Sequence, residues 1–478
     1  MLKILLKVTT LYINMKTKQW GYIMGNQTAT QKIKHPKALY FCGSIYSFVN
    51  FAYYGMKLVL VLFLAEQVSK GGLGLSAAEA SAMLASFMAW SYLSPVVGGW
   101  ISDRFLGPKA CVSIGVLTVS IAYFMGFLAK SKAQITIMIV LAVIGGGFYK
   151  GNLNTLVGTL YDKNDSRKDG AFSITYTFTN IGVLFGPLLC GLIANEWFSQ
   201  KSGGEITFYG YKYVFLTAAI IAFIGFLVFT LGQKKFLKNS STNISKKEDL
   251  ERKRELAKTP LTIKEKKRMV VILILAFFTI FFWMAYNQAS MSIALYTQSF
   301  VNLNVGNFTI PTSWIDSYYG LLCVILGPIM AAIWLKLSQS KRGDLNISTK
   351  MSLGFIFLAI AFIFMIIAVN ISGTDPRTTT KASVIWIILF ITLQSVGEMC
   401  FSPVGYGMVD RLAPEKYSSL FMGIWFGSIF AANKLSGYVQ VIIDKLGMLQ
   451  VFIIIPVFLA IVGALLLILN KKLEKMSE

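Results

Sequence analysis

Runs of about 20 apolar residues, separated by short polar stretches, recur along the chain from about residue 38 to residue 470. A helix of that length crosses the ~30 Å hydrocarbon core of a bilayer. Alternating apolar and polar segments of about ten residues, which would indicate a membrane β-barrel, are absent from the sequence. The pattern predicts twelve membrane-spanning helices, at approximately residues 38–64, 76–100, 109–130, 135–160, 169–195, 211–233, 269–298, 311–335, 350–371, 383–409, 418–443 and 446–470.

The composition indicates the same class of protein. Of the 478 residues, 55% are hydrophobic and 14% are charged, whereas about 25% are charged in ordinary soluble domains. We therefore expect an all-α, multi-pass membrane protein of the cell membrane, surrounded by lipid.

The formal net charge of +23 could indicate either nucleic-acid binding or membrane topology. Most of the 45 Lys and Arg residues fall on one side of the membrane if the amino terminus is cytoplasmic, which is the positive-inside rule. The basic stretches therefore predict that both termini are cytoplasmic, and we expect no nucleic acid as a partner.

A polar, mostly basic stretch divides the predicted helices into two groups of six. This arrangement is typical of transporters whose site lies between two related bundles near the bilayer midplane. The amino-terminal stretch is also basic and has no cleavage site after a clean apolar core, so it is not expected to be a signal peptide. The expected segments are a cytoplasmic tail at 1–37, a bundle at 38–233, a linker at 234–268, a bundle at 269–470 and a tail at 471–478.

The sequence lacks the signatures of an enzyme or an ATP-driven pump. No GxxxxGK[ST] phosphate-binding loop occurs, and no nucleophile–base or metal-ligand arrangement is found in or near the helices. The five cysteines fall within predicted helices and lack metal-site spacing. We therefore expect a secondary transporter that is not an enzyme and needs neither cofactor nor metal.

The segment "GGWISDRFLGPK" between predicted helices 2 and 3 resembles the cytoplasmic loop signature of the major facilitator superfamily, with one additional residue. The resemblance implies gate roles for Asp103 and Arg104, since Asp103 can pair with a basic group or a helix end when the cytoplasmic side closes. Gly99 is expected to permit close helix contact. An ordinary cluster of loop charges is the alternative interpretation.

Four further segments resemble the proton-dependent oligopeptide transporter family of that superfamily. They are "NFAYYGMKLVLVLFL", "GTLYDKNDSRKDGAFSITYTFTNIGVLFGPLLCG", "SVGEMCFSPVGYGMVDRLAP" and "MGIWFGSIFAANKLSGY". The resemblance runs in order through nearly the whole chain from His35 onward. It implies alternating-access transport of di- and tripeptides. Most bacterial members have two additional helices between the bundles, and the linker here is too short and polar for them.

Two charged residues, Lys150 and Glu398, lie within predicted helices 4 and 10. A charge at the centre of a membrane helix costs about 2.5–3.5 kcal/mol, so such residues indicate function by default. The resemblance implies that Lys150 attracts the carboxylate of a peptide and that Glu398 faces it from the other bundle. The alternative is a Lys–Glu pair that only joins the bundles.

The resemblance also implies substrate-binding roles for Tyr53, Tyr54, Asn180, Trp283 and Trp425. Considered alone, each of these aromatic residues would more often serve packing than ligand contact. Their assignment therefore depends on the family motifs around them.

Charged residues of the family pattern are missing at several positions. Tyr46, Val49 and Asn50 stand where the family has two glutamates and an arginine, and Asn287 stands where it has an acid. Opposite charges are lost together, which avoids stranding an unpaired charge in low dielectric. We therefore expect an intact carrier with weakened proton coupling, for which Glu398 is the best remaining proton carrier.

Lys57 lies at a position whose family partner, an acid on helix 7, is replaced by Asn287. Helix 8 offers Asp316 at a depth that differs by only ~3 Å, at 1.5 Å per residue. The sequence therefore predicts that a Lys57–Asp316 pair replaces the lost pair and acts as a gate. The alternative is that both side chains reach separately towards the outer water.

Three functions remain open on the sequence alone. The first is a peptide carrier, with protons as a further partner. The second is a carrier of the same fold for another small solute, and the third is a sensor that binds ligand without transport.

Overall fold

The computed structural model describes residues 35–161, 165, 167–203, 205–237, 260–306, 308–340, 343, 345–375, 380–414 and 417–477. Most of the expected amino-terminal tail and most of the expected linker lie outside these residues. The body of the protein begins at Lys37.

The first half of the body contains six long helices. They are α1 (Lys37–Ala65), α2 (Ala77–Ile101), α3 (Gly107–Leu128), α4 (Lys132–Gly158), α5 (Arg167–Leu192) and α6 (Tyr211–Phe236). Short helical turns occupy Val68–Lys70, Ser102–Leu106 and Ile193–Trp197, and a hairpin joins β1 (Gln200–Ser202) to β2 (Glu205–Phe208).

The second half has the same plan with one broken helix. Its helices are α7 (Ile263–Tyr286), α8 (Ser292–Phe300), α9 (Trp314–Ser338), α10 (Ile347–Ser372), α11 (Val384–Leu412), α12 (Ser418–Leu446) and α13 (Met448–Ser477). The strands are β3 (Val301–Asn302), β4 (Asn304–Val305), β5 (Phe308–Thr309) and β6 (Ala382–Ser383). Strands β4 and β5 form a hairpin, and β3 pairs in parallel with β6.

The two ends of the helical body differ in their connections. We call the end that carries both β-hairpins the hairpin end; α1 ends there at Ala65 and α9 begins there at Trp314. We call the opposite end, which carries the turn Ser102–Leu106 and the break after α6, the linker end. Capping boxes fix two of the helix starts, with Ser76 and Glu79 at α2 and Thr262 and Glu265 at α7.

Ten helical stretches of the described residues are long and apolar enough to cross a membrane. The expected all-α, multi-pass membrane architecture is therefore confirmed. One stretch, Ala77–Leu128, has 52 residues; a continuous helix of that length would span about 78 Å, more than twice the hydrocarbon thickness. It consists of α2, the turn Ser102–Leu106 and α3, and the chain changes direction at Gly107, whose φ is +74°.

The span predicted at 269–298 lies within Ile263–Phe300, which is long and apolar enough to cross a membrane. It is not one regular helix, however, because α7 ends at Tyr286 and a 3-10 turn covers Asn287–Ser290 before α8. The turn is fixed from the side by α12. The amide of Gln288 donates to the carbonyl oxygens of Met284 and Ser436, at 2.9 and 3.2 Å. Side-chain donors of this kind compete with regular helical backbone bonding. The polar residues in this part of the sequence did not indicate where the helix would break.

The glycine expected to bring two helices together is also placed differently. Gly99 faces open space, with nothing within 4 Å of where a Cβ would stand. Its neighbour Gly98 is the close contact: a Cβ there would collide with the carbonyl group of Gly147 on α4. Small residues at such positions allow membrane helices to approach closely.

This difference predicts opposite effects for two adjacent substitutions. Gly98→Ala should lower the thermal midpoint of the detergent-solubilised protein, because the new methyl group must push α2 away from Gly147. Gly99→Ala should leave the midpoint unchanged or raise it, since alanine is favoured over glycine in helices by up to about 1 kcal/mol. Equal midpoints for the two variants, measured by thermal unfolding, would contradict the packing described.

Candidate functional site

A cavity of about 120 Å³ lies between the two halves of the protein. The first half contributes α1 and α2, and the second half contributes α7, the 3-10 turn, α9, α11 and α12. Its lining is Tyr53, Tyr54, Lys57, Met88, Tyr92, Trp283, Tyr286, Asn287, Ala289, Ser290, Ile315, Asp316, Tyr319, Ile391, Gln394, Glu398 and Asn433. Aromatic rings and polar side chains therefore surround a site that both halves share.

Glu398 brings a carboxyl group to this cavity from α11. The side chain is 7% exposed, and its Oε2 accepts a hydrogen bond from the hydroxyl of Tyr286 at 2.8 Å. Tyr319 lines the cavity beside them, with its ring 6.2 Å from that of Tyr286. The hydrogen bond partly compensates the burial of the carboxyl group, which is otherwise costly in a membrane interior.

Lys150 approaches the same site from the first half. Its Nζ lies 4.6 Å from the ring centroid of Tyr53, which lines the cavity; a cation at this distance from an aromatic face is attracted to it. The ion pairs found among the described residues do not include one between Lys150 and Glu398. The expected alternative, a pair that joins the halves directly, is therefore not formed in this structure.

Of the other residues expected in the site, three line the cavity and two do not. Tyr53, Tyr54 and Trp283 belong to its wall. Asn180 is buried on α5, where its amide donates to the carbonyl oxygen of Tyr176 at 2.9 Å. Trp425 is 2% exposed and packs against α11, so in this state it belongs to the core.

The pair expected between Lys57 and Asp316 is present. Lys57 Nζ lies 3.0 Å from Asp316 Oδ2, with side chains only 10% and 7% exposed. The contact is an ion pair rather than an aligned hydrogen bond. It connects α1 with α9, and the alternative of two side chains reaching separately for water is excluded for this state.

Asn287 stands where the family pattern has an acid, and its side chain bonds to α12 instead of to Lys57. Its amide donates to Asn433 Oδ1 at 2.9 Å and to Ser436 Oγ at 3.1 Å. The sequence did not predict this amide network, nor did it predict that Gln394 and Tyr92 belong to the cavity wall. Polar residues within a membrane helix were the available signal for Asn433.

The wall of α1 below the cavity is neutral. The hydroxyl of Tyr46 donates to Asn154 Oδ1 on α4, and the amide of Asn50 donates to the carbonyl oxygen of Tyr46 at 2.8 Å. Val49 is 1% exposed and belongs to the core. Neutral hydrogen bonds and apolar packing therefore occupy the region where the family pattern has charges.

Asp103 and Arg104, the gate residues expected from the loop signature, lie in the turn Ser102–Leu106 at the linker end. Both are exposed. The guanidinium of Arg104 lies 5.0 Å from the ring centroid of Trp100.

Several bonds join the two halves towards the hairpin end. Lys434 Nζ donates to Ser86 Oγ at 2.6 Å, between α12 and α2. At the start of α9, Ser313 Oγ and Trp314 Nε1 donate to backbone carbonyl oxygens of α5, at 3.2 and 3.1 Å. Together with the Lys57–Asp316 pair, these contacts close the site on that side.

Two helical halves that share a charged, aromatic cavity define a membrane transporter of the secondary type. The sequence profile of the POT family matches residues 110–249 and 238–455. The chain belongs to this family, as its motifs predicted.

Characterised relatives cover almost the whole chain. It is 28% identical to a di-/tripeptide transporter of Lactococcus lactis subsp. cremoris, over 89% of this chain and 93% of that protein. It is 27% identical to dipeptide and tripeptide permease A of Escherichia coli strain K12, over 95% and 97%. A crystal structure of a POT peptide transporter mutant in complex with alafosfalin superposes with a TM-score of 0.81, at 26% identity, over 94% of this chain and 97% of that chain.

Proposed function

We propose that this protein is a secondary transporter in the cell membrane that imports di- and tripeptides. It crosses the bilayer twelve times, with two six-helix bundles at 38–233 and 269–470, a cytoplasmic linker at 234–268 and both termini cytoplasmic. In this topology the hairpin end faces outwards. The relatives named as peptide transporters support the substrate class.

One observation carries the proposal: the cation of Lys150 lies behind Tyr53 of the cavity wall on one half, and the carboxyl group of Glu398 belongs to the wall on the other half. A peptide is a zwitterion whose charged ends are separated by its backbone. Lys150, beside Tyr53, binds its carboxylate, and Glu398 binds its amino group. Tyr54 and Trp283 contact the backbone and side chains between them.

Asn180 and Trp425 join the site in another conformation of the cycle. Both are buried in the present state. A rotation of the two halves is the usual way in which such carriers alternate access. The same rotation brings Asp103 and Arg104 to their partners when the cytoplasmic side closes.

Proton coupling is weaker here than the family pattern implies. Tyr46, Val49, Asn50 and Asn287 cannot supply the family's charges, and Asp316 is held by Lys57. Glu398 is then the cavity carboxyl group available to take a proton in exchange for the peptide amine. Facilitated exchange of peptide does not require that proton.

The test is dipeptide exchange in proteoliposomes. We expect the wild-type protein to exchange external labelled dipeptide for internal unlabelled dipeptide, and to accumulate little against a concentration gradient when an inward proton gradient is applied. Strong gradient-driven accumulation by Glu398→Gln would show a different proton route. Inhibition by unlabelled dipeptides distinguishes a peptide carrier from a carrier of other solutes.

The neutral, aromatic wall of α1 favours one second candidate, a carrier of the same fold for another small solute. Such a carrier would transport in the same assay, but excess dipeptide would not compete. A sensor without transport activity would bind dipeptide and show no exchange. Both outcomes are therefore separable from the main proposal.

A further inference from the structure

A second cavity, of about 290 Å³, lies at the seam between the halves near the hairpin end. We call it the seam groove. Leu184 and Leu188 of α5 form one wall, while Leu321 of α9 and Ile387 and Ile388 of α11 form the other. Its lining is almost entirely apolar. Apolar cavities of this size stay dry and take up apolar molecules instead of water.

The open side of the seam groove faces the membrane. Leu321 is 41% exposed and continues along α9 into a stripe of exposed residues at four-residue spacing, Ile325, Ile329 and Ile333. Ile388 is 37% exposed on the neighbouring helix. Residues four apart share one face of a helix, and a fully apolar exposed face of a membrane protein contacts lipid. The medium at the mouth of the groove is therefore hydrocarbon.

The groove runs along the bilayer normal from the boundary inwards. It extends on α11 from Val384, the first residue of that helix, to Ile391. Seven residues of helix correspond to about 10 Å. A chain that enters beside Val384 therefore reaches about a third of the way across the hydrocarbon core.

One hydroxyl of this lining has no internal hydrogen-bond partner among the described residues. Ser317, one turn into α9, is 4% exposed, and among the described residues its hydroxyl has no hydrogen-bond partner. The other hydroxyls of the lining are used internally: Thr297 donates to a backbone carbonyl oxygen, Thr312 donates to Gln298, and Tyr318 shares a hydrogen bond with Thr392. Ser317 lies about one helical turn from the start of α9 at the hairpin end. The ester carbonyl oxygens of a phospholipid lie at the edge of the hydrocarbon and can accept a hydrogen bond from such a hydroxyl.

We propose that the seam groove is a binding site for one acyl chain of a phospholipid in the leaflet at the hairpin end, with Ser317 donating to the ester carbonyl. The lipid stabilises the state in which the hairpin end is closed. This follows from the walls, since α5 belongs to one half and α9 and α11 to the other. A ligand that binds only when both walls meet shifts the equilibrium towards that state.

The lipid is also close to the transport path. Ile315 and Ile391 line both the seam groove and the central cavity, so a single layer of side chains separates them. Ser313 and Trp314, which bond to the backbone of α5, lie directly beside the groove. A bound chain therefore supports the contacts that close the site.

Photolabelling in membranes tests the binding site without any measurement of transport. The protein is reconstituted into phosphatidylethanolamine and phosphatidylglycerol vesicles that contain a trace of phosphatidylethanolamine with a diazirine halfway along one acyl chain. We expect labelling at peptides that contain 184–188 or 384–391. In Ile388→Trp, whose indole fills the mouth of the groove, that labelling should fall by at least about tenfold, because losing the burial of even two methylene groups reduces affinity by that factor.

Ile385→Trp is the matched control, since Ile385 lies one turn away on the same helix, is 45% exposed and does not line the groove. Its labelling at 184–188 and 384–391 should equal that of the wild type. Equal labelling in the two tryptophan variants, or labelling spread evenly along the stripe Ile325–Ile333, would overturn the proposal. Because the readout is binding, it remains informative even if the protein carries another solute.

Discussion

Reversing the charge of either Lys57 or Asp316 should remove most transport, and reversing both should restore a substantial part of it. The two side chains form a buried pair, 3.0 Å apart, between α1 and α9. Removing one partner of a buried pair costs about 3–5 kcal/mol, so dipeptide exchange by Lys57→Asp or Asp316→Lys should fall by at least about tenfold. The double variant re-forms the pair in the opposite direction.

The control for this experiment is Lys132→Glu, at an exposed ion pair with Glu79 in which the Lys132 side chain is 51% exposed. Reversing that charge should change exchange little, because solvent and salt screen exposed pairs. All variants are compared at equal amounts of monodisperse protein. If the Lys57→Asp/Asp316→Lys variant is no better than the worse single variant, the pair has no role as a gate.

Removing either charged pole of the central cavity should have an effect of similar size on binding. Lys150→Ala and Glu398→Ala each leave one end of a bound dipeptide without its partner. Truncating one member of a buried charged contact costs about 2–5 kcal/mol, so dipeptide affinity should fall by at least about 30-fold in each variant. Lys132→Ala, at the exposed start of the same helix α4, should bind like the wild type.

The sequence predicted the helical architecture well because the bilayer imposes it. Nearly every predicted span lies within a few residues of an observed helix; the first, 38–64, corresponds to Lys37–Ala65. The break at Asn287–Ser290 was missed. Hydropathy reports on lipid and core environments, whereas this break depends on hydrogen bonds with α12 that no local pattern specifies.

The charged part of the site was predictable for a related reason. A buried charge is so costly that Lys57, Asp316, Lys150 and Glu398 stand out from an apolar background. The family position of Lys57 and a comparison of depths together suggested its pairing with Asp316, which the structure contains.

The neutral part of the site was harder to predict. Tyr92 and Gln394 are ordinary in composition and become wall residues only through the crossing of their helices. Trp425 was predicted to line the site but is buried in the core in this structure. A sequence motif does not specify in which conformational state of a carrier a residue lines the site. Gly98 and Gly99 are neighbours that point to different sides of α2. Hydropathy does not show which of the two faces the neighbouring helix.

Competition with chemically blocked dipeptides tests the central claim most directly. In the wild type, amidating the peptide carboxylate or acetylating its amine should each weaken competition for labelled dipeptide. In Lys150→Ala the penalty for the amide should disappear while that for the acetyl group remains, and in Glu398→Ala the pattern should be reversed. If both variants still discriminate against both blocked peptides as the wild type does, Lys150 and Glu398 do not hold the two ends of the substrate.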